Sequence, residues 1–328
     1  MKAVLCTRLG DPDDLEVADL PAPTPRPGEV VVAVKAAALN FSDTLLITGK
    51  YQIKPELPFS PCGEFAGVAD QIGGGVTHVQ PGDRVAGFCG FGAACERIAV
   101  DAARLVKLPD SLDFDRAAGI PVTYGTSLYA LKDRSRLKKD ETLVVLGASG
   151  GAGLSAVEVG KLMGARVIAC ASSDEKLALA HKHGADDLVN YAQEDLRQAL
   201  RRLTGERGVD VVYDPVGAAY AEPTLRCMAW GGRFAVVGFA GGEIPRFPAN
   251  IILLKNCDVV GVNFGGWVNR EPDRYRANLS TLMSWCAGGR ISAHVDAVFP
   301  LEGIEQAMRL MTGRKTKGKL ILRPKGEN

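Results

Sequence analysis

Residues 143–153 read LVVLGASGGAG, an apolar run that gives way to glycines spaced Gly147-x-x-Gly150-x-x-Gly153. Glycines so placed allow positive φ in a tight turn, close approach of backbone to a pyrophosphate, and tight packing of the next helix on the strand. Gly151 and Ala152 lead into a helix expected over 152–163. Its N-terminus offers N–H groups and the positive end of a dipole to phosphate. A glycine motif alone is weak. Set between a strand and a helix, with a second strand within about 30 residues, it reads as a dinucleotide site. That second strand, 166–171, ends in Cys170-Ala171-Ser172-Ser173, where an NAD-selective site carries Asp or Glu for the ribose 2′-hydroxyl. Ser172, Ser173, Lys176 and Tyr191 offer hydroxyls and an ammonium instead, which suit a 2′-phosphate. The cofactor expected is NADPH. Asp174 is the competing feature, readable as a ribose partner or as the N-cap of the helix it starts.

Other chemistries are less well supplied. Zinc needs three or four convergent thiolates or imidazoles, and the chain has four histidines and eight cysteines with no C-x-x-C pair. No metal site is expected. Cys170 and Cys257 sit in apolar runs, where a thiol behaves as a small hydrophobe, so reduced thiols are expected rather than disulfides. The 39 basic and 38 acidic residues leave a net charge of +1 without a basic stripe, so neither nucleic acid nor an anionic membrane is expected as a partner. The start, MKAVLCTRLGDPDDLEV, has no apolar leader stretch, and a cytoplasmic protein is expected.

Two textures of chain must position these residues. Residues 1–120 are rich in Val, Gly and Pro, with short β-like runs at 29–39, 63–68, 83–86 and 97–100 separated by turn signals such as Pro81-Gly82-Asp83. This is the pattern of a compact antiparallel β-domain. From about 121 strands and helices alternate: strands at 142–146, 166–170, 187–189, 209–213, 233–237 and 258–262, helices at 152–163, 174–183, 195–203 and 220–229. Such alternation means βαβ units and a parallel, doubly wound sheet. Helices at 274–286 and 301–311 and a strand at 319–322 suggest that the chain then returns to the first domain.

Several spaced motifs together resemble one family: LNFSDT (39–44), GKY (49–51), PFSPCGEFAG (58–67), PGDRV (81–85), TYGTSLYAL (123–131), the glycine turn, GVDVVYDPVG (208–217) and GGRFAVVG (231–238). Over nearly its whole length the chain resembles the zinc-independent medium-chain dehydrogenases/reductases, close to the NADPH:quinone oxidoreductases of the zeta-crystallin type. The resemblance implies an α/β protein with a GroES-like antiparallel β-domain (1–122 and 266–328) and a Rossmann domain (123–265). Zinc-dependent relatives carry Cys where Asn40 stands and His where Gly63 stands. Asn40, Asp43 and Tyr51 are implied near the nicotinamide, with Thr126 behind it: Asn40 to hold cofactor or substrate or else to cap a local turn, Tyr51 to donate a proton or hydrogen bond or else to serve as an aromatic lid, and Asp43 either to touch ligand or to N-cap the Thr44–Ile47 segment. Gly238, Phe239, Ala240 and Gly241, then Val262, Asn263 and Phe264, are the last implied cofactor segments. Arg314, in the basic run 314–319, is implied at the 2′-phosphate or in a solvated turn. Strand 258–262 is implied as a homodimer edge. The activity implied is NADPH-dependent reduction of quinones or other conjugated carbonyls. Enoyl-thioester or 2-enal reduction, and a non-catalytic NADPH-binding role, stay open.

Overall fold

The computed structural model describes residues 1–324. It divides into two compact units, Met1–Gly125 with the chain from Gly265 onward, and Thr126–Phe264. The first switch falls inside helix Thr123–Leu128, three residues later than the expected 122/123.

The first unit is built on β strands. β1 (Lys2–Cys6) and β2 (Leu15–Asp19) form a two-stranded ribbon; β3 (Glu29–Leu39), β4 (Glu64–Ile72), β5 (Arg84–Phe88), β6 (Arg97–Asp101) and β7 (Leu105–Lys107) belong to a larger sheet. β3 is its spine. Antiparallel β6 covers its first half, antiparallel β4 runs along its length, and two register shifts in the β3–β4 ladder bend it. Extra residues at such shifts sharpen twist and curl a sheet around its core. That core gathers Val30, Val32, Val34, Phe65 and Val85 with Leu46 and Ile47 of α1 (Phe41–Ile47).

The second unit holds six parallel strands: β8 (Thr142–Leu146), β9 (Arg166–Ala171), β10 (Asp187–Asn190), β11 (Val209–Asp214), β12 (Met228–Val236) and β13 (Asp258–Gly261), in the order β10-β9-β8-β11-β12-β13. Every residue of β8 is buried, as strands covered on both faces require. The order reverses beside β8, between β9 and β11, and such switch points are where open α/β sheets bind ligands. The helix expected at 220–229 is cut short. A 3-10 turn (Ala218–Tyr220) and one short helix (Ala221–Leu225) end before β12, whose first residues bulge against β11. Gly231 in that bulge has φ +71°, which favours glycine. A helix at Ala249–Lys255, absent from the expectations, precedes β13.

Past Gly265 the chain returns to the first unit through a long helix (Pro272–Ala287), an unforeseen edge strand β14 (Val295–Pro300), a helix at Ile304–Thr312 and β15 (Lys319–Arg323). β15 lies parallel to β14 and antiparallel to the end of β3. This register sets Lys319 beside Leu39 and Asn40.

Candidate active site

In the second unit, β8 ends at Leu146 and Gly147 turns the chain with φ +62°. Helix Gly151–Leu162 then starts with Gly150 as N-cap and no side chain capping it. Its first N–H groups therefore lack partners within the helix. The three motif glycines have different causes. A Cβ on Gly153 would lie 2.1 Å from the Gly147 carbonyl oxygen, and one on Gly147 would meet Val216 at 2.8 Å. Packing of the chain alone demands glycine at both. Gly150 differs: its φ −76° and ψ 165° suit any residue, and a Cβ there would meet nothing nearer than the Gly147 oxygen at 3.7 Å. Sterics within the chain therefore do not require glycine there, although glycine also serves as the N-cap. The opening, with bare N–H groups behind it, fits a diphosphate.

At the end of β9, Lys176 Nζ donates to Ser172 Oγ at 3.3 Å. Ser173 N-caps the next helix (Asp174–Lys182) by accepting from the Lys176 N–H. The cap is thus Ser173 and not Asp174, because Asp174 already has helical geometry and its carboxylate accepts from Asn190 Nδ2 at 2.7 Å. Tyr191 packs against Tyr220 in a tilted pair, ring centroids 4.3 Å apart. The sheet thus brings the glycine turn, Ser172, Ser173, Lys176 and Tyr191 to the C-terminal ends of β8, β9 and β10. Gly238–Gly241 follow β12, where Ala240 and Gly241 donate to the carbonyls of Pro215 and Val216 at 3.1 and 2.7 Å. A Cβ on Gly241 would sit 2.8 Å from the Val216 oxygen, so that glycine serves loop packing. Val262 and Phe264 are buried after β13, and Phe264 opens a helix to Arg270. Thr126 is buried at the start of the unit. Arg314 belongs to the other unit, where it is exposed in a left-handed turn (φ +54°) before β15.

The first unit carries a buried polar cluster around Asn40, the N-cap of α1. Asp43 is the third helical residue. Its Oδ2 accepts from the Asn40 N–H at 2.7 Å and its Oδ1 from the Cys62 N–H at 3.1 Å. With both oxygens occupied and 1% exposure, Asp43 holds the loop together. The helix begins before Thr44, so Asp43 is the partner of an N-cap and not the cap itself. Burial pushes its carboxyl up to about 7, against the pull of those N–H groups and the Lys319 charge. Asn40 Nδ2 donates to Glu64 Oε1 at 2.8 Å, and Asn40 Oδ1 accepts from Lys319 Nζ at 2.7 Å. Tyr51 is half-buried against the core; burial first, then the nearby Asp43 charge, raises its phenol above the usual range. Sequence reasoning missed Glu64 and Lys319 as members of this cluster. Among the described residues, no three or more His, Cys, Asp or Glu side chains are grouped as metal ligands would be.

A GroES-like β unit interrupted by a six-stranded parallel unit with a glycine turn at its switch point defines a medium-chain dehydrogenase/reductase. Residues 26–110 match the family model of the alcohol dehydrogenase GroES-like domain, and residues 151–285 that of the zinc-binding dehydrogenase. The chain is 40% identical over 323 residues to "Quinone oxidoreductase-like protein 2" of Mus musculus, covering 98% of this chain and 91% of that protein. It is 32% identical over 324 residues to "Quinone oxidoreductase" of Pseudomonas aeruginosa, covering 98% and 99%. The solved structure of Escherichia coli quinone oxidoreductase complexed with NADPH superposes with a TM-score of 0.91 at 29% identity, covering 99% of this chain and 100% of that one. The chain belongs to the quinone oxidoreductase family of the medium-chain dehydrogenases/reductases.

Proposed function

We propose that the protein reduces quinones or other conjugated carbonyls with NADPH by direct hydride transfer and without zinc. The observation that carries the reading is the space at Gly150, which the chain's own packing leaves unexplained and a diphosphate would fill. The preference for NADPH rests on Ser172 and Lys176 where a ribose-binding carboxylate would stand, and on Asp174 being engaged by Asn190. The E. coli relative was solved with the same cofactor. Bound there, NADPH supplies a hydride, and the protein supplies orientation and a dry site.

The zinc-free reading rests on the donor set. Asn40 presents an amide, and Gly63 has no side chain, at positions where the resemblance puts thiolate and imidazole in zinc-dependent relatives. Alcohol oxidation then lacks a Lewis acid for the hydroxyl, whereas an electron-poor acceptor takes hydride without one. The raised phenol of Tyr51 stays protonated at neutral pH, which keeps it a hydrogen-bond donor.

A homodimer through β13 is part of the same proposal. β13 is the last strand of its sheet, Val259 on it is 37% exposed, and Leu253 and Leu254 in the preceding helix are 78% and 68% exposed. Pairing with a twin strand would remove an open edge and cover apolar surface.

The test follows loss of reduced-nicotinamide absorbance with a benzoquinone, a 2-enal and an enoyl thioester as acceptors. Rapid oxidation with the quinone is expected. Tight NADPH binding with no oxidation by any acceptor would instead mark a binding protein.

A further inference from the structure

Lys319 is almost fully buried, 3% exposed, and sits against Glu64, which is 0% exposed. Its ammonium has three hydrogens and three acceptors: the Leu39 carbonyl at 2.8 Å, Asn40 Oδ1 at 2.7 Å and Glu64 Oε1 at 2.6 Å. Glu64 is equally committed. Oε1 receives Lys319 and Asn40 Nδ2, and Oε2 receives the Val122 N–H at 2.7 Å. No ammonium hydrogen is left to act on a substrate. A buried ion pair is in itself weak evidence of stabilisation, since desolvating both charges offsets much of their attraction. The pair does, however, act on Asn40.

A carboxamide turned end for end keeps its shape, and only its partners decide which end is oxygen. Turned over, Asn40 would press its NH₂ against an ammonium and its oxygen against a carboxylate. Two hydrogen bonds would become two repulsions in a site with little water to screen them. The amide is therefore held one way round. In that orientation Lys319 occupies the oxygen, Glu64 takes one Nδ2 hydrogen, and the second Nδ2 hydrogen is left over. Asn40 itself retains 9% exposure.

We infer that Lys319 and Glu64 are positioning residues that hold Asn40 as a hydrogen-bond donor toward a carbonyl oxygen of the acceptor. This rests on the proposed NADPH-dependent reduction. A donor fixed in advance acts most strongly where negative charge develops, as it does on an acceptor oxygen when hydride arrives.

The test uses full-length protein with NADPH and a benzoquinone, reading kcat, KM for the quinone and Kd for NADPH. Asn40→Ala and Asn40→Asp keep the side-chain volume small, but neither offers an amide N–H. Both should lower kcat/KM for the quinone by roughly 10²-fold, the lower end for loss of one preorganised donor. Weakened NADPH binding with quinone kinetics otherwise unchanged would overturn the assignment to the acceptor. Asn40→Asp behaving as wild type in both readouts would overturn the donor role. Removing both charges together, Glu64→Gln with Lys319→Met, avoids leaving one buried and unpaired. It should cost about tenfold in the readout that the Asn40 variants affect. Added to Asn40→Ala it should cost nothing further, because the group it positions is gone. Multiplying losses would mean that the pair acts independently of Asn40. Circular dichroism checks the fold, and the Asn40 variants decide the matter if the paired variant does not fold. A wild-type protein that oxidises no NADPH with any acceptor would instead sink the proposed function, a distinct outcome.

Discussion

Gly150→Ala separates a ligand's demand for glycine from the chain's own. The new methyl would have the Gly147 oxygen at 3.7 Å as its nearest neighbour, and the backbone already lies at φ −76° and ψ 165°. Two small stability effects oppose each other. Alanine is a poorer N-cap than glycine, costing up to about 1 kcal/mol, and stiffening the unfolded chain returns about 0.4–1 kcal/mol. The net is near zero, and Tm should move by no more than about 3 °C. Binding should respond differently. A methyl that keeps a diphosphate from the bare N–H groups removes at least one charge-assisted hydrogen bond, about 1.5–3 kcal/mol, or roughly 10- to 100-fold in Kd. Gly153→Ala is the control. Its Cβ would lie 2.1 Å from backbone oxygen, so the turn must shift, costing about 1–3 kcal/mol or more and lowering Tm by several degrees. The assays are thermal unfolding without ligand and NADPH titration by nicotinamide fluorescence. Unchanged NADPH affinity in a well-folded Gly150→Ala protein would show that no diphosphate uses the space at Gly150.

Further predictions follow from the same geometry. Lys176→Ala should weaken NADPH binding about tenfold and leave NADH binding nearly unchanged, measured by parallel titrations; equal losses would remove the 2′-phosphate reading. Tyr51→Phe should slow enoyl-thioester reduction at least ~10-fold, if that is the reaction, and affect quinone turnover little, checked by steady-state kinetics on both acceptors. Burial pushes the Asp43 carboxyl up to about 7 from its ordinary 3.8, so between those values the folded state binds the extra proton. Stability contributed by this group is present at low pH and is lost as pH rises toward about 7. Tm measured across that window should show the slope in wild type and not in Asp43→Asn, which should also be less stable overall because an NH₂ then faces a backbone N–H. Val259→Lys should convert a dimer into a monomer in sedimentation velocity by putting like charges together at the twin edge; an unchanged sedimentation coefficient would count against β13 as the interface.

What the sequence disclosed and what it hid divide along range of interaction. The strand at 142–146, the turn at Gly147 and the helix after it are written in consecutive residues, and the parallel sheet follows from their repetition. Ser172 and Lys176 sit four residues apart and could be read together. The Asn40 cluster could not: Lys319 and Glu64 are 255 positions apart, and only the pairing of β15 with the end of β3 brings them together. The short strand at Val295–Pro300 was missed because its exposed position Val298 is apolar and blurs the alternation that marks a half-buried strand. At the start of β12, Trp230, Gly231 and Gly232 bulge from the ladder, which hid two strand residues inside an expected helix. Asp174 and Ser173 are both good caps, and the sequence alone did not say which begins the helix.

The proposed site selects NADPH and passes its hydride to a quinone. The most direct measurement mixes the protein anaerobically with a benzoquinone and either NADPH or NADH and follows reduced-nicotinamide absorbance. The expected result is catalytic, equimolar loss of NADPH and quinone, with NADH far slower at matched concentration. No oxidation of NADPH, or oxidation of both nucleotides at the same rate, would contradict it.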